Sequence, residues 1–141
     1  MAGGLHTILE VNLVTPKGVL AHVEADSVQA PGELGKFEML PGHVPMLTAL
    51  KPGVLTIGGK TRSRYAVAGG YLRVDPAGAV EILVEQAVLA KDVDSAVAQK
   101  DLSAAEAELA KWGDKAMDGE YVNVKARAEW ARARLDAVGS H

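Results

Sequence analysis

The spacing of apolar residues divides this chain into two parts, with the change near residue 88. In the first part the period is two. Leu9, Val11 and Leu13 alternate with Glu10, Asn12 and Val14, ending at Pro16-Lys17-Gly18. Val19, Ala21, Val23 and Ala25 alternate with Leu20, His22, Glu24 and Asp26, and this region ends near Pro31-Gly32. Residues 54–57 and 65–68 flank Gly58-Gly59, which reads as a two-residue hairpin turn. Leu72 and Val74 precede the turn residues Asp75-Pro76-Ala77-Gly78, after which Val80, Ile82 and Val84 alternate with Glu81, Leu83 and Glu85. Short alternating runs with closely spaced turn signals predict an antiparallel β-sandwich or flattened barrel over residues 1–88.

From residue 91 onward the period becomes helical. No proline follows Pro76, and alanine is the commonest residue. Ala98, Leu102, Ala105, Leu109 and Trp112 share one helix face. Gly113-Asp114 and Asp118-Gly119 mark a turn, with Asp118 a suitable cap. Val122, Ala126, Trp130, Ala133 and Ala137 form the next stripe. The fold expected is therefore α+β, with an N-terminal β-sandwich followed by a C-terminal α-helical hairpin over residues 91–141. Alanine favours helix but buries little, about 0.8 kcal/mol per methyl against about 1.5–3 for a leucine-sized side chain. Such a hairpin is either a movable element or a static cap on the sandwich.

Charge is unevenly spread along the hairpin. Residues 91–123 carry four lysines against eight acids, whereas residues 124–141 carry Lys125, Arg127, Arg132 and Arg134 against Glu129 and Asp136. Either the two helices pair their charges, or the basic helix can exchange that partner for an acidic surface elsewhere. The whole chain has a net charge of −3, which disfavours nucleic acid as a partner. It is 48% hydrophobic and 23% charged, a globular composition. It has no cysteine, so neither a disulfide framework nor a Cys-ligated zinc is available. No apolar run approaches the roughly 18–20 residues that span a bilayer, and the N-terminus has no signal-peptide pattern, so membrane association is expected only through a protein partner.

Little in the sequence suggests catalysis. Gly59-Lys60-Thr61 imitates the end of a phosphate-binding loop, but that motif needs glycine where Val54 stands and a helix where a polar strand follows. Gly69-Gly70 reads as a bulge or a close-packing site. His6, His22, His43 and His141 share no ligand spacing, and no acid–base pair can be nominated. No catalytic, cofactor-binding or metal-binding residue is assigned. The stretch from Leu40 to Leu55 carries the most information. Its three prolines and two glycines among apolar residues predict a shaped surface loop entering a new strand.

That stretch resembles the signature loop of the epsilon subunit of rotary F-type ATP synthases, Leu-Pro-Gly-His-x-Pro-Leu-Leu-Thr-x-Leu-x-Pro-Gly, departing only at Met46 and variable positions. Other segments agree in order. Leu9 to Thr15 is similar to the first strand, and Gly35, Phe37 and Leu40 fit the Gly-Glu-Phe-Gly-x-Leu region. Residues 67–74 are similar to Val-Ser-Gly-Gly-Phe-Leu-Glu-Val. The resemblance covers nearly the whole chain.

What it implies is a non-catalytic central-stalk subunit of a proton-translocating enzyme, peripheral on the cytoplasmic side of the bacterial inner membrane. The sandwich would bind the gamma subunit and rest on the c-subunit ring, coupling ring rotation to ATP synthesis. By position, the loop containing Pro31, Gly32, Glu33, Lys36 and Glu38 would face the ring, and His43, Val44 and Pro45 would lie close to gamma. In many bacterial members the hairpin extends and its second helix touches the catalytic alpha and beta subunits transiently, inhibiting hydrolysis. Lys125, Arg127, Arg132 and Arg134 would make that contact. Lys36 and Glu38 stand where the family usually has Glu and Gly. Some members bind ATP through a motif resembling Ile-Asp-x-x-Arg-Ala. Here Val93 to Ala98 keep the Asp and the Ala but place Val97 at the arginine, which speaks against the alternative of an ATP-sensing subunit. A free-standing β-sandwich binding module is the remaining alternative, and it would need a concave polar pocket.

Overall fold

A computed structural model describes residues 8–42, 45–112 and 119–139. Among them are ten strands: β1 (Leu9–Thr15), β2 (Gly18–Ala25), β3 (Ser27–Gly32), β4 (Gly35–Met39), β5 (Met46–Leu50), β6 (Gly53–Gly58), β7 (Ser63–Val67), β8 (Gly70–Val74), β9 (Ala79–Val84) and β10 (Ala87–Leu89). A 3-10 turn, Ala90–Asp92, leads to helices α1 (Ser95–Ala110) and α2 (Gly119–Gly139).

The strands make one curled sheet in the order β10-β7-β6-β3-β5-β8-β9-β1-β2, with β4 on the other side of β3. β3 joins β5 through the single pair Gly32↔Leu50, and there the sheet folds into two layers. Every strand pair is antiparallel except β1 with β9. Period-two patterning delivers the core. Leu9, Val11 and Leu13 of β1, Leu72 and Val74 of β8, and Val80, Ile82 and Val84 of β9 are buried from one layer. They meet Val28, Leu55, Ile57, Tyr65 and Val67 of the other.

Burial raises the Tyr65 phenol above its ordinary value of 10.0, so it stays neutral in the core. Gly70 is required by contact as well as by backbone. Its φ is +153°, and a Cβ there would sit 1.9 Å from the Leu83 carbonyl oxygen. The close-packing reading of Gly69-Gly70 therefore holds.

Several sequence expectations need correction. The Gly58-Gly59 hairpin exists, but Gly58 lies within β6 and Ile57 pairs with Ser63, so residues 59–62 make a four-residue connection. Residues 31–40 are no loop: β3 and β4 form a hairpin, with Pro31 opposite Lys36 and Gly32 opposite Gly35. Proline inside β3 masked this strand, although it lacks only a donor. Its carbonyl still accepts from the Lys51 amide at 2.9 Å. Likewise, much of Leu40–Leu55 is strand, since β5 and the start of β6 occupy it. The chain also breaks at Asp26, separating β2 from β3.

In β2 the expected inward set fails at Val19, which is 64% exposed. A bulge between Leu13 and Val14 makes Ala21 face Leu13 but Val19 face Val14, so one extra residue turns Val19 to the outer surface.

α1 buries Ala98, Leu102 and Ala105, as its stripe predicts. In α2 the expected stripe is wrong at its start: Val122 and Ala126 are exposed, whereas Val124, Ala128 and Ala131 are buried with Leu102 and Ala105. The reason is that α2 has two contact faces. Val124, Ala128, Ala131 and Leu135 meet α1. Ala133 and Ala137 are buried outside that cluster, and α2 packs on β6 and β7. There Ala66 and Thr56, which point away from the sandwich core, are themselves buried. Expected turn residues 113–118, including Asp118, lie outside the described residues. The aromatic pair Trp112–Tyr121, edge to face at 6.3 Å, ties the two helices together beside that turn.

Candidate functional site

Pairing register shows what the outer face of the second layer carries. Ala49 faces Tyr71, Tyr71 faces Leu83, Leu83 faces Val14, and Val14 faces Val19. All of these point away from the core. Five adjacent strands therefore present one apolar row, about 20 Å long at the usual strand spacing. Tyr71 is 56% exposed, and Leu83 and Leu20 are nearly half exposed. The next row along the strands is polar apart from Leu47, which faces Arg73. Arg73 is ion-paired with Glu81. His22 hydrogen-bonds Asn12 through Nδ1, and its Nε2 lies 3.6 Å from Glu10. An apolar band beside a polar row, uncovered by either helix, is the pattern of a protein interface.

Sequence reasoning missed this row although its signal was present. Val14, Leu20 and Leu83 occupy outward register positions where solubility alone asks for polar residues. The proposed gamma-facing residues adjoin the same layer. Pro45 is exposed immediately before β5, while His43 and Val44 lie outside the described residues.

The β3–β4 hairpin carries the five residues expected to face the ring, but not equivalently. Pro31 and Gly32 are buried in β3 just before the tip, where Pro31 packs on Gly53. Glu33, Lys36 and Glu38 are exposed. Between Glu33 and Gly35 the tip bears Leu34, whose side chain is completely exposed. An unshielded leucine at a hairpin tip is a second unpartnered apolar feature, and it too went unnamed from sequence.

In the helical hairpin the basic residues of α2 are brought to the acids of α1. Arg127 reaches Glu108 at 3.2 Å, Arg132 reaches Glu106 at 3.0 Å and Arg134 reaches Asp101 at 3.1 Å. Arg134 also lies over the Trp130 ring at 5.3 Å and is the least exposed of the three. Lys125 is exposed. Such pairs contribute about 0–1 kcal/mol each.

Asp94 serves as N-cap of α1, accepting from the Val97 amide at 3.1 Å. Val97 itself is 47% exposed and offers no donor from its side chain. Gly59-Lys60-Thr61 lies in the β6–β7 connection and a strand follows it, so no helix N-terminus stands behind it. Among the described residues no group of three or more His, Asp or Glu is placed to hold a metal, and no helix is long and apolar enough to cross a membrane.

Comparison with known proteins gives a consistent answer. The family described as ATP synthase, Delta/Epsilon chain, beta-sandwich domain matches residues 8–90. The ATP synthase epsilon chain of Geobacter metallireducens is 40% identical over 93% of this chain and 94% of its own length. That of Magnetococcus marinus is 34% identical over 92% and 93%. Among solved structures, a chain of the Euglena gracilis mitochondrial ATP synthase (OSCP/F1/c-ring, rotational state 1) superposes with a TM-score of 0.81 at 19% identity, covering 98% of this chain and 86% of that one. A chain of the Tetrahymena thermophila mitochondrial ATP synthase central stalk and c-ring gives 0.62 at 20% identity, covering 92% and 96%.

Proposed function

This chain belongs to the ATP synthase epsilon-chain family, and from that premise we propose that it is the non-catalytic central-stalk subunit of a bacterial F-type ATP synthase. It couples rotation of the c-subunit ring to ATP synthesis in the catalytic head. The observation that carries this reading is the apolar row Ala49–Tyr71–Leu83–Val14–Val19, which neither helix covers. A rotor subunit needs such a face to grip the shaft. We assign it, with His43, Val44 and Pro45 at its border, to the gamma subunit.

The exposed end of the β3–β4 hairpin, Glu33, Leu34, Lys36 and Glu38, is assigned to the c-ring, with Pro31 and Gly32 as its buried neighbours in β3. Residues 91–141 act as a regulatory arm on a body formed by residues 1–88. Lys125, Arg127, Arg132 and Arg134 restrain hydrolysis by exchanging α1 for an acidic surface of the catalytic subunits. Three of the four must give up a carboxylate in α1 to do so. The subunit sits peripherally on the cytoplasmic face of the inner membrane, attached through its partners. The ATP-sensing alternative is not supported: Asp94 is occupied as a helix cap, and Val97 has no donor for a phosphate.

Co-purification with gamma tests the reading. The wild-type chain is expected to form a complex that survives size exclusion. Tyr71→Glu with Leu83→Glu, two changes on the sheet's outer face, is expected to abolish it while leaving the circular dichroism unchanged. A wild-type chain that never binds gamma, or a double variant that binds normally, would overturn the assignment.

A further inference from the structure

Four of the six arginines are bound to carboxylates within the chain: Arg73, Arg127, Arg132 and Arg134. The other two, Arg62 and Arg64, have no such partner among the described residues. They meet Lys91 in one cleft of about 590 Å³, roofed at one side by Val138 in the last turn of α2, and no acid among the described residues lines it.

Arg64 lies on the outward register of β7, opposite the buried Thr56, and its Nε is shut off from solvent with no hydrogen-bond partner. A charged donor deprived of water and left unpaired is unfavourable, and so is gathering three cations without an anion. One ligand relieves both costs. We propose that this cleft binds a small multivalent oxyanion of the phosphate class, held by the Arg64 and Arg62 guanidinium groups and the Lys91 ammonium.

Guanidinium groups present paired donors that match a phosphate edge, whereas lysine contributes a point charge. Donors converging from several sides need an anion with several oxygens and more than one charge. The ligand is small because it must fit between β7 and the end of α2. Since α2 supplies part of the wall, occupancy and docking are linked: whatever binds here holds the arm against the sheet. The anion is either free phosphate or the phosphate chain of a nucleotide. This cleft is separate from the Asp94–Ala98 segment that the nucleotide-sensing reading invokes.

The test is an NMR titration of the full chain with inorganic phosphate at fixed ionic strength, with chloride as control and ATP as a parallel arm. Saturable shifts are expected at the amides of Ser63, Arg64 and Lys91, with slower amide exchange over residues 133–139. Arg64→Gln should weaken binding by at least about tenfold, as expected for loss of a charge-assisted pair. Arg73→Gln, far from the cleft, should leave it unchanged. Should Arg64→Gln fail to fold, the exposed Lys91→Gln serves instead: a several-fold loss supports the site and an unchanged affinity overturns it. Saturation by phosphate alone identifies the free anion, and the same shifts with ATP at lower concentration identify a nucleotide's phosphates. Linear shifts with every salt, equal binding by Arg64→Gln, or unaltered exchange over residues 133–139 would refute the proposal.

Discussion

The sheet and the helical hairpin use different materials for the same task. Between the sheet layers lie leucines, isoleucines and valines drawn from nearly every strand, with Met39 and Tyr65 filling the gaps. Between the helices the seam is Leu102, Ala105, Val124, Ala128 and Ala131. At about 1.5–3 kcal/mol for each large buried side chain and about 0.8 for a methyl, each sheet position contributes two to four times what a typical hairpin position does. The sheet thus behaves as one body. The hairpin is held by a thin seam, three surface ion pairs and a small-residue contact on β6 and β7. The difference predicts that the arm detaches at lower cost than the body unfolds.

Leu72→Ala would test the first half of this contrast most severely. Leu72 is completely buried, and its truncation should cost about 2–5 kcal/mol in urea unfolding, with strands and helices lost together. Persistence of the sheet signal at wild-type denaturant would contradict a single cooperative body.

Ala66→Leu addresses the second half. Ala66 faces α2 from the back of the sheet with no exposed surface, so a larger side chain should overpack that contact by about 1–3 kcal/mol. Hydrogen exchange should rise in α2 while β1, β8 and β9 keep their protection. Uniform loss of protection would mean that arm and body unfold as one.

Removing the cap with Asp94→Ala should cost about 1 kcal/mol and show as fraying confined to the first turn of α1. The smallest effect is expected from Arg132→Gln, which breaks an exposed pair with Glu106 and should cost about 0–1 kcal/mol, vanishing at high salt. A larger, salt-sensitive loss would show that the charges, and not the alanine seam, hold the helices together.

These same contrasts explain what could be read in advance. Leu9, Val11, Leu13, Val80, Ile82 and Val84 declared the sheet because a residue that alternates in a half-buried strand has only one face to bury. β3 and β4 were hidden by Pro31 and by their brevity, although the alternation of Lys36, Phe37, Glu38 and Met39 was there to see. In α2 alanine occupies two faces at once, so its spacing fits more than one stripe, and the chosen one was right only from Trp130 onward. The apolar row was readable strand by strand but not as a row, since it exists only after the bulge at Leu13/Val14 and the β1–β9 pairing set five registers side by side.

That β1–β9 pairing also has a consequence for how the molecule is made. Glu10 meets Ala79 across the only parallel ladder among the described residues, so β1 waits for nearly the last strand of the sandwich before its second edge is zipped. Until then β1 and β2 form an isolated ribbon, too small to persist in water. Closure of the body therefore waits for β9 and follows the emergence of residue 84. The helices of the arm can form within microseconds, but α2 docks on β6 and β7 only after the body is in place.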